Sequence, residues 1–226
     1  MGIPNNVETL ILRFRDGLAS NSTITEHQSI INEKKHVWWG WWAKPQETIP
    51  VATFSSMCVK IKNGQPLCVY LFDSGTLSLY KAKCEGIEYK NDKEKFTPPA
   101  NGEATPAYYR DNSYFAWFKF SEIEPCDSEL LKKYTYVDVD EFYNDSLSPF
   151  QVFDSKVIFN TQDLHSQQRT IWFVRKKQAD DKSHEITTFA YPEKVTLNVD
   201  GAFKVLPYVK FCGFQIYIFL KSTMPL

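Results

Sequence analysis

Residues 67–84 read LCVYLFDSGTLSLYKAKC. The two outer parts, residues 67–72 and 77–84, are rich in the aliphatic and aromatic side chains that strands favour. Between them, residues 73–76 (DSGT) form a typical turn sequence. We therefore predict a β-hairpin at this position, and the neighbouring sequence repeats the same pattern of short strands and turns.

Further strands and a few helices are predicted on both sides of this hairpin. Thr23 and Glu26 have the spacing of a capping box, which predicts the start of a helix that runs to about Lys35. Many short strands with only two or three helices predict an α+β domain, in which the helices flank a curved β-sheet or small β-barrel. The remaining predictions are strands at 8–15, 114–123, 156–159 and 170–175, and helices at 50–63 and 127–133.

The chain changes character near residue 180. The polar stretch 176–184 has the composition of a linker, and strand patterns follow it at 186–191, 194–199 and 208–220. We therefore predict a binding domain at residues 1–180. Residues 181–226 are predicted to be an additional β-hairpin segment or the start of a second domain.

Composition limits the functional classes. The net charge of −1 excludes a global electrostatic attraction to nucleic acid, so such a partner would need a local basic patch. Three places offer one, although each is also consistent with an ordinary solvated face. They are Lys81 with Lys83, Lys132 with Lys133, and Arg175 with Lys176 and Lys177.

The five cysteines are odd in number and include no CxxC pair, which disfavours a disulfide framework or a zinc site and favours the cytoplasm. No apolar run is long enough to cross a bilayer, so no membrane partner is predicted. Hydrolase and nucleotide-binding motifs are absent from the sequence, and we expect no metal, no cofactor and no enzymatic activity. A Cys or His nucleophile assembled in space remains an alternative.

Aromatic residues make up 15% of the chain, and four tryptophans flank Gly40. On a strand, Trp38 and Trp42 would share one face and Trp39 and Trp41 the other, so we expect one pair in the core and the other near a pocket or the surface. Such rings form a wall for a flat or cationic ligand, although packing of all four or a protein interface would also explain them.

Other candidate ligand-binding residues lie on predicted turns and loops. Tyr108, Tyr109 and Arg110 offer stacking faces and a planar donor before a strand that carries Trp117, although they also suit a loop anchor. Asp73 and Ser74 lie at the hairpin tip, where a plain turn is the alternative. The complete set of predicted ligand-binding residues is Trp38, Trp39, Trp41, Trp42, Lys44, Asp73, Ser74, Tyr108, Tyr109, Arg110 and Trp117.

Several segments carry a resemblance to a known family: residues 69–75 (VYLFDSG), 79–87 (LYKAKCEGI), 106–111 (PAYYRD), 116–125 (AWFKFSEIEP) and 128–133. Together with the predicted first strand, they resemble over residues 8–175 the EVE domain, a branch of the PUA-like superfamily related to the YTH domains. The family's arginine–asparagine pair before the second strand is missing, and the four tryptophans and Lys44 stand there instead.

The resemblance implies a module that holds a flipped, modified nucleic-acid base between aromatic rings. EVE-like modules often serve bacterial restriction or defence systems, so an effector domain or partner protein is implied too. We therefore expect a sensor that binds nucleic acid or a nucleotide. The alternative is a protein-interaction or dimerisation domain anchored by the tryptophans, and an oligomer is compatible with both.

Overall fold

A computed structural model describes residues 7–16, 23–45, 47–90, 94–137, 139, 160–167 and 169–178. All of them belong to the first of the two units into which the chain divides, Met1–His184 and Glu185–Leu226. The strands predicted at 156–159 and beyond residue 186 lie outside the described residues. The domain boundary near residue 180 therefore stays a prediction.

The described strands are β1 (Thr9–Phe14), β2 (Val37–Trp41), β3 (Leu67–Asp73), β4 (Leu79–Tyr89), β5 (Ala116–Cys126), β6 (Tyr134–Tyr136) and β7 (Ile171–Lys176). The α-helices among the described residues are α1 (Thr23–Lys34), α2 (Val51–Lys62) and α3 (Thr161–Ser166). Short 3-10 helices occupy Pro99–Gly102, Ala107–Tyr109 and Ser128–Lys133.

The seven strands form one mixed sheet in the order β2-β5-β4-β3-β1-β7-β6. Strand β1 runs parallel to β3, and every other neighbouring pair is antiparallel. The predicted hairpin is β3–β4, in which Leu67 lies opposite Cys84 and Phe72 opposite Leu79. Strand β6 is only three residues long, and its sequence pattern did not predict it.

The sheet is strongly curled. Four strand spacings separate β1 from β2, which is about 19 Å in a flat sheet. Nevertheless, the ring centroids of Phe14 on β1 and Trp39 on β2 are 5.3 Å apart. Among the described residues, no hydrogen-bonded ladder joins the edge strands β2 and β6. Of the two sheet forms predicted, the structure therefore shows the curved open sheet and not a closed barrel.

Both faces of the sheet are covered because side chains alternate along each strand. On one face, Leu10 and Leu12 of β1 join a large core to which α1 adds Ile24 and α2 adds Phe54 and Met57. Full burial of a Phe or Met side chain contributes about 1.5–3 kcal/mol of hydrophobic stabilisation. On the other face, a smaller core contains Ile11, Tyr70, Phe72, Leu131, Leu164 and Trp172.

The helix ends follow local rules. Helix α1 ends one residue before Lys35, which has a positive φ of 67° and whose N–H donates to the Ile31 carbonyl at 2.8 Å. Helix α2 ends at Lys62, one residue before the predicted end at residue 63, and the following Gly64 has a φ of 77°. The Asn160 side chain caps α3 by accepting from the N–H groups of Gln162 and Asp163.

Candidate aromatic site at the end of the first strand

The four tryptophans around Gly40 separate into three environments. Trp39 and Trp41 lie in the large core, and Trp38 belongs to a separate buried cluster on the other face. Trp42 follows the end of β2 and is 44% exposed. The expected alternation therefore holds within β2. One strand nevertheless buries three indoles, because helices cover one of its faces and a loop covers the other.

Trp38 belongs to a cluster of six rings, which we call the aromatic cluster: His27, Trp38, Tyr108, Tyr109, Tyr114 and Trp117. The Tyr109 ring lies between those of His27 and Trp117, with centroid distances of 5.7 Å and 6.0 Å and interplanar angles of 27° and 16°. Tyr114 meets the edge of this stack, 5.2 Å from Trp117. Offset stacking and edge contacts of this kind add about 0.5–1.5 kcal/mol each beyond area burial.

Gly40 makes room for these rings. A Cβ atom at this position would lie 2.5 Å from Cδ2 of Tyr114 and 3.0 Å from Cζ3 of Trp117. Both distances are shorter than ordinary van der Waals contacts. The glycine between the tryptophans is therefore required by the packing of Tyr114 and Trp117 across the strand.

The Tyr109 side chain also covers the edge of the sheet. Strand β2 is an edge strand, and its outward-facing backbone groups need partners other than a neighbouring strand. The Trp38 N–H donates to the Ala104 carbonyl at 2.7 Å, and the Tyr109 hydroxyl donates to the Trp38 carbonyl at 3.0 Å. The segment that carries Ala104 and Tyr109 thus holds the aromatic cluster against β2.

His27 completes the cluster and was not predicted as a site residue. Its Nδ1 donates to the Thr23 carbonyl at 2.7 Å, and its Nε2 contacts the Tyr109 hydroxyl. A neutral ring that donates from Nδ1 has only an acceptor at Nε2, so the single Tyr109 hydroxyl proton faces two acceptors, Nε2 and the Trp38 carbonyl. Burial lowers the pKa of His27 to about 4, and its ring is therefore neutral at neutral pH.

The accessible part of the cluster is Tyr108, which is 42% exposed and lies with its ring centroid 4.7 Å from that of Tyr109. Burial raises the pKa of Tyr108 to about 12, and the nearby carboxylates of Glu26 and Asp16 add to the rise. Asp16 also accepts from the Thr23 N–H at 3.2 Å, which ties the end of β1 to the start of α1. The exposed edge of the cluster is therefore acidic.

The predicted residues Asp73 and Ser74 shape a turn at the same end of β1. The Asp73 carboxylate accepts from the Gly75 N–H at 2.8 Å, from the Thr76 hydroxyl at 2.7 Å and from the Asp16 N–H at 3.4 Å. The Ser74 hydroxyl donates to the Phe14 carbonyl at 3.0 Å. Both side chains are used by the turn itself, close to the acidic edge of the aromatic cluster.

Lys44 lies apart from the cluster, beyond the far end of β2. Its N–H donates to the Glu47 carboxylate at 2.9 Å, and burial together with the nearby Arg13 lowers the pKa of its amine. Glu47 in turn accepts from the Thr170 N–H at 2.7 Å, and burial raises its pKa. These contacts fasten the segment after β2 to the start of β7, and a ligand contact by the Lys44 amine stays a prediction.

Arg110 is exposed next to the cluster. Its guanidinium donates to the Thr105 carbonyl at 3.2 Å. The aliphatic part of its side chain passes Gly102, where a Cβ would lie 2.5 Å from the Arg110 Cγ. Of the eleven predicted residues, the structure thus gathers Trp38, Tyr108, Tyr109 and Trp117 in one cluster with Arg110 beside it.

The described cysteines Cys58, Cys68, Cys84 and Cys126 are free thiols. Burial raises the pKa of Cys84 to about 12 and that of Cys126 to about 11, which disfavours the nucleophilic thiolate. Cys212 lies outside the described residues. Within the part of the chain that the structure describes, no group of His, Cys, Asp or Glu side chains could hold a metal ion. The described helices include none with the length and apolar character needed to cross a membrane.

Comparison with curated proteins and with solved structures gave no significant match. In contrast, the Pua-like family model matches residues 10–185, which cover all seven strands of the described sheet except the first residue of β1. Pua-like domains are in general modules that bind RNA or other nucleic acids and are not catalysts. On this match, the chain belongs to the Pua-like family.

Proposed function

We propose that this chain is a nucleic-acid-binding module that holds a base against the aromatic cluster. The observation that carries the proposal is the exposed ring of Tyr108, which makes an edge contact with Tyr109 of the buried aromatic cluster in a Pua-like chain. Stacking of one base on such a ring is worth about 1–3 kcal/mol and depends little on the sequence.

The buried rings of the aromatic cluster hold Tyr108 in place through its contact with Tyr109. Tyr109 is fixed by its stacking partners and by its hydrogen bonds at the edge of β2. Tyr108 is its direct neighbour in a three-residue 3-10 helix, Ala107–Tyr109, so its backbone is held in place. The Tyr108 ring is therefore already ordered in the folded chain, so little further conformational entropy is lost when a base binds.

The acidic edge offers hydrogen-bond acceptors to a base, and the exposed Arg110 beside the cluster offers a cation to a phosphate. Thr23 and Ile30 of α1 both face the cluster. Glu26 lies three residues after Thr23 and four before Ile30, so it lies on the same side of α1. Carboxylates accept hydrogen bonds from base amino groups and repel phosphates. The resemblance to EVE domains suggests that the ligand is a modified base. A methyl group on that base would add about 0.8 kcal/mol of hydrophobic contact if it were buried.

In this proposal the chain is a cytoplasmic sensor, and an effector protein of a defence system would read its bound state. Residues 181–226 would add a hairpin segment or begin a second domain. The base-binding claim itself rests only on the aromatic cluster.

A titration of labelled single-stranded RNA and DNA oligonucleotides at low salt tests the proposal. We expect Tyr108→Ala to weaken binding about tenfold because one stacked base is lost. Val59→Ala is the control, since Val59 is 54% exposed on α2 and outside the cluster. Absence of binding by the folded wild-type chain would contradict the proposal.

Matched oligonucleotides test the finer claim. Each pair differs by one methyl group, for example 5-methylcytosine against cytosine or N6-methyladenine against adenine. We expect a preference of about fourfold or more for one methylated base, which is the effect of one buried methyl group. Equal affinities throughout would remove modified-base recognition and leave general nucleic-acid binding in place.

A second candidate function is self-association through Trp42. It is the exposed member of the four tryptophans, and exposed indoles are common anchors of protein interfaces. A molecular-mass measurement in solution decides: a wild-type dimer that becomes a monomer in Trp42→Ala supports this function, and a wild-type monomer excludes it.

A further inference from the structure

Arg110 follows the exposed Tyr108 by two residues, with the buried Tyr109 between them. It is the C-cap of the 3-10 helix Ala107–Tyr109, with helical backbone angles of φ −58° and ψ −36°, and its N–H donates to the Ala107 carbonyl at 3.4 Å. Successive residues of such a helix point about 120° apart. Because the Tyr109 side chain points into the aromatic cluster, those of Tyr108 and Arg110 leave the backbone on either side of it.

The Arg110 side chain is held along its length. Its aliphatic part passes Gly102 so closely that a Cβ there would lie 2.5 Å from the Arg110 Cγ and 3.2 Å from its Cδ, and Gly102 has a φ of 75° that favours glycine. Beyond this contact, the guanidinium donates to the Thr105 carbonyl at 3.2 Å, and the Thr105 N–H donates to the Gly102 carbonyl at 3.1 Å. A side chain that is already ordered loses little conformational entropy when it binds a ligand.

The Arg110 guanidinium still has donors to offer. It carries several N–H groups in a planar fork, and the Thr105 carbonyl accepts from one of its nitrogens, Nη2. Among the residues that the structure describes, no carboxylate forms an ion pair with it. A planar fork of this kind can donate to two oxygens of a phosphate at once. Arg110 is thus an exposed and ordered cation whose shape suits a phosphate.

We infer that Arg110 binds a phosphate next to the nucleotide whose base stacks on Tyr108. This inference rests on the proposed function and adds to it the contact with the sugar-phosphate backbone. A base and its phosphates are joined through a sugar, so they need two neighbouring but separate contacts, which Tyr108 and Arg110 provide. The carboxylates of Glu26 and Asp16 near the Tyr108 ring repel a phosphate there and so favour its placement at Arg110.

The salt dependence of affinity for a single-stranded oligothymidylate tests this inference in Arg110→Gln. Gln keeps the Cβ, Cγ and Cδ that pass Gly102 and removes the cation. We expect the slope of log K against log salt to fall by about 0.7, the contribution of one phosphate contact on a single strand. Affinity at low salt should fall about tenfold, because hydrogen bonds to a charged group are lost.

The matched control is Lys62→Gln, which removes one exposed cation from α2, the helix that covers the other face of the sheet. It should leave the slope and the affinity unchanged. Arg110→Lys keeps the charge and should keep the wild-type slope. Circular dichroism confirms that the three variants are folded.

A neutral backbone separates a phosphate contact from a structural role of Arg110. In an oligothymidylate with methylphosphonate linkages, a methyl group replaces the charged oxygen of each phosphate, so the guanidinium meets no anion. The wild type and Arg110→Gln should therefore bind this second probe with equal affinity. Weaker binding by Arg110→Gln would indicate a structural role and overturn the inference.

The other outcomes separate this inference from the proposed function. A wild-type slope in Arg110→Gln, or an equal fall in Lys62→Gln, overturns the phosphate contact while base stacking stands. A fall in Arg110→Gln alone supports the contact. Wild-type affinity in Tyr108→Ala beside a fall in Arg110→Gln would remove base stacking and leave the phosphate contact. If the folded wild-type chain binds no oligonucleotide at low salt, both fail.

Discussion

The two ends of β1 differ in nearly every physical respect. At the Phe14 end, aromatic rings are packed against one another, a histidine is buried in its neutral form and carboxylates line the exposed edge. At the Thr9 end, the long side chains of Lys132, Lys133 and Lys176 are exposed. Stacking on a base needs an ordered ring, whereas attraction to a phosphate needs only nearby charge. The Phe14 end is therefore the end at which we propose that a base binds.

This difference has a consequence for stability. The aromatic cluster is assembled from α1, β2, a 3-10 helix and β5, and its members depend on close contacts with one another. Substitutions there should lower the free energy of unfolding. Substitutions of the exposed Lys132, Lys133 and Lys176 at the Thr9 end should leave that free energy nearly unchanged, because exposed charges contribute little to it.

The largest expected effect is a pH dependence of the free energy of unfolding that is due to His27, at the Phe14 end of β1. In the unfolded chain the imidazole has its ordinary pKa of 6.5, whereas burial lowers the pKa to about 4 in the folded chain. Between these values the unfolded state binds more protons, so the free energy of unfolding falls as the pH falls from about 6.5 to 4. The gap corresponds to about 3 kcal/mol.

Urea unfolding of the wild type and of His27→Gln over pH 4 to 8 measures this effect. Between pH 8 and pH 4, the free energy of unfolding should fall by about 3 kcal/mol less in the variant than in the wild type, because Gln does not take up a proton. The same pH dependence in both proteins would show that His27 is not buried as a neutral ring.

The next effect is on packing at Gly40. The substitution Gly40→Ala places a Cβ 2.5 Å from the Tyr114 ring, and overpacking of this kind costs about 1–3 kcal/mol. Gly86→Ala is the matched control, since its new Cβ would meet Lys119 at an ordinary 3.7 Å. Equal stability of the two variants in urea unfolding would contradict the packing described around Gly40.

The sequence predicted much of the fold because its signals are local. The turn at residues 73–76 and the Asn63-Gly64 helix end both appear where expected, and α1 ends within one residue of the predicted Lys35. Strand β6 escaped prediction because three residues are too few to show a period of two. Whether the predicted curved sheet closes into a barrel also depends on contacts between edge strands that no local pattern encodes.

The candidate site was harder to predict because its members meet only in space. The sequence singled out Tyr108 and Tyr109 from their composition, yet nothing in the spacing linked His27 to Tyr109, 82 residues away. For Asp73 the sequence leaves a ligand contact and a plain turn open, and in the structure its oxygens accept hydrogen bonds from its own turn and from Asp16. The meeting of two predicted basic segments at Lys133 and Lys177 likewise follows from the pairing of β6 with β7.

The most direct test of the account is the salt dependence of oligonucleotide binding by Tyr108→Ala compared with the wild type. If Tyr108 stacks on a base, the variant binds about tenfold more weakly at every salt concentration, and the slope of log K against log salt is unchanged because stacking releases no counterions. Wild-type affinity in Tyr108→Ala, or a fall in its slope, would contradict base stacking on Tyr108.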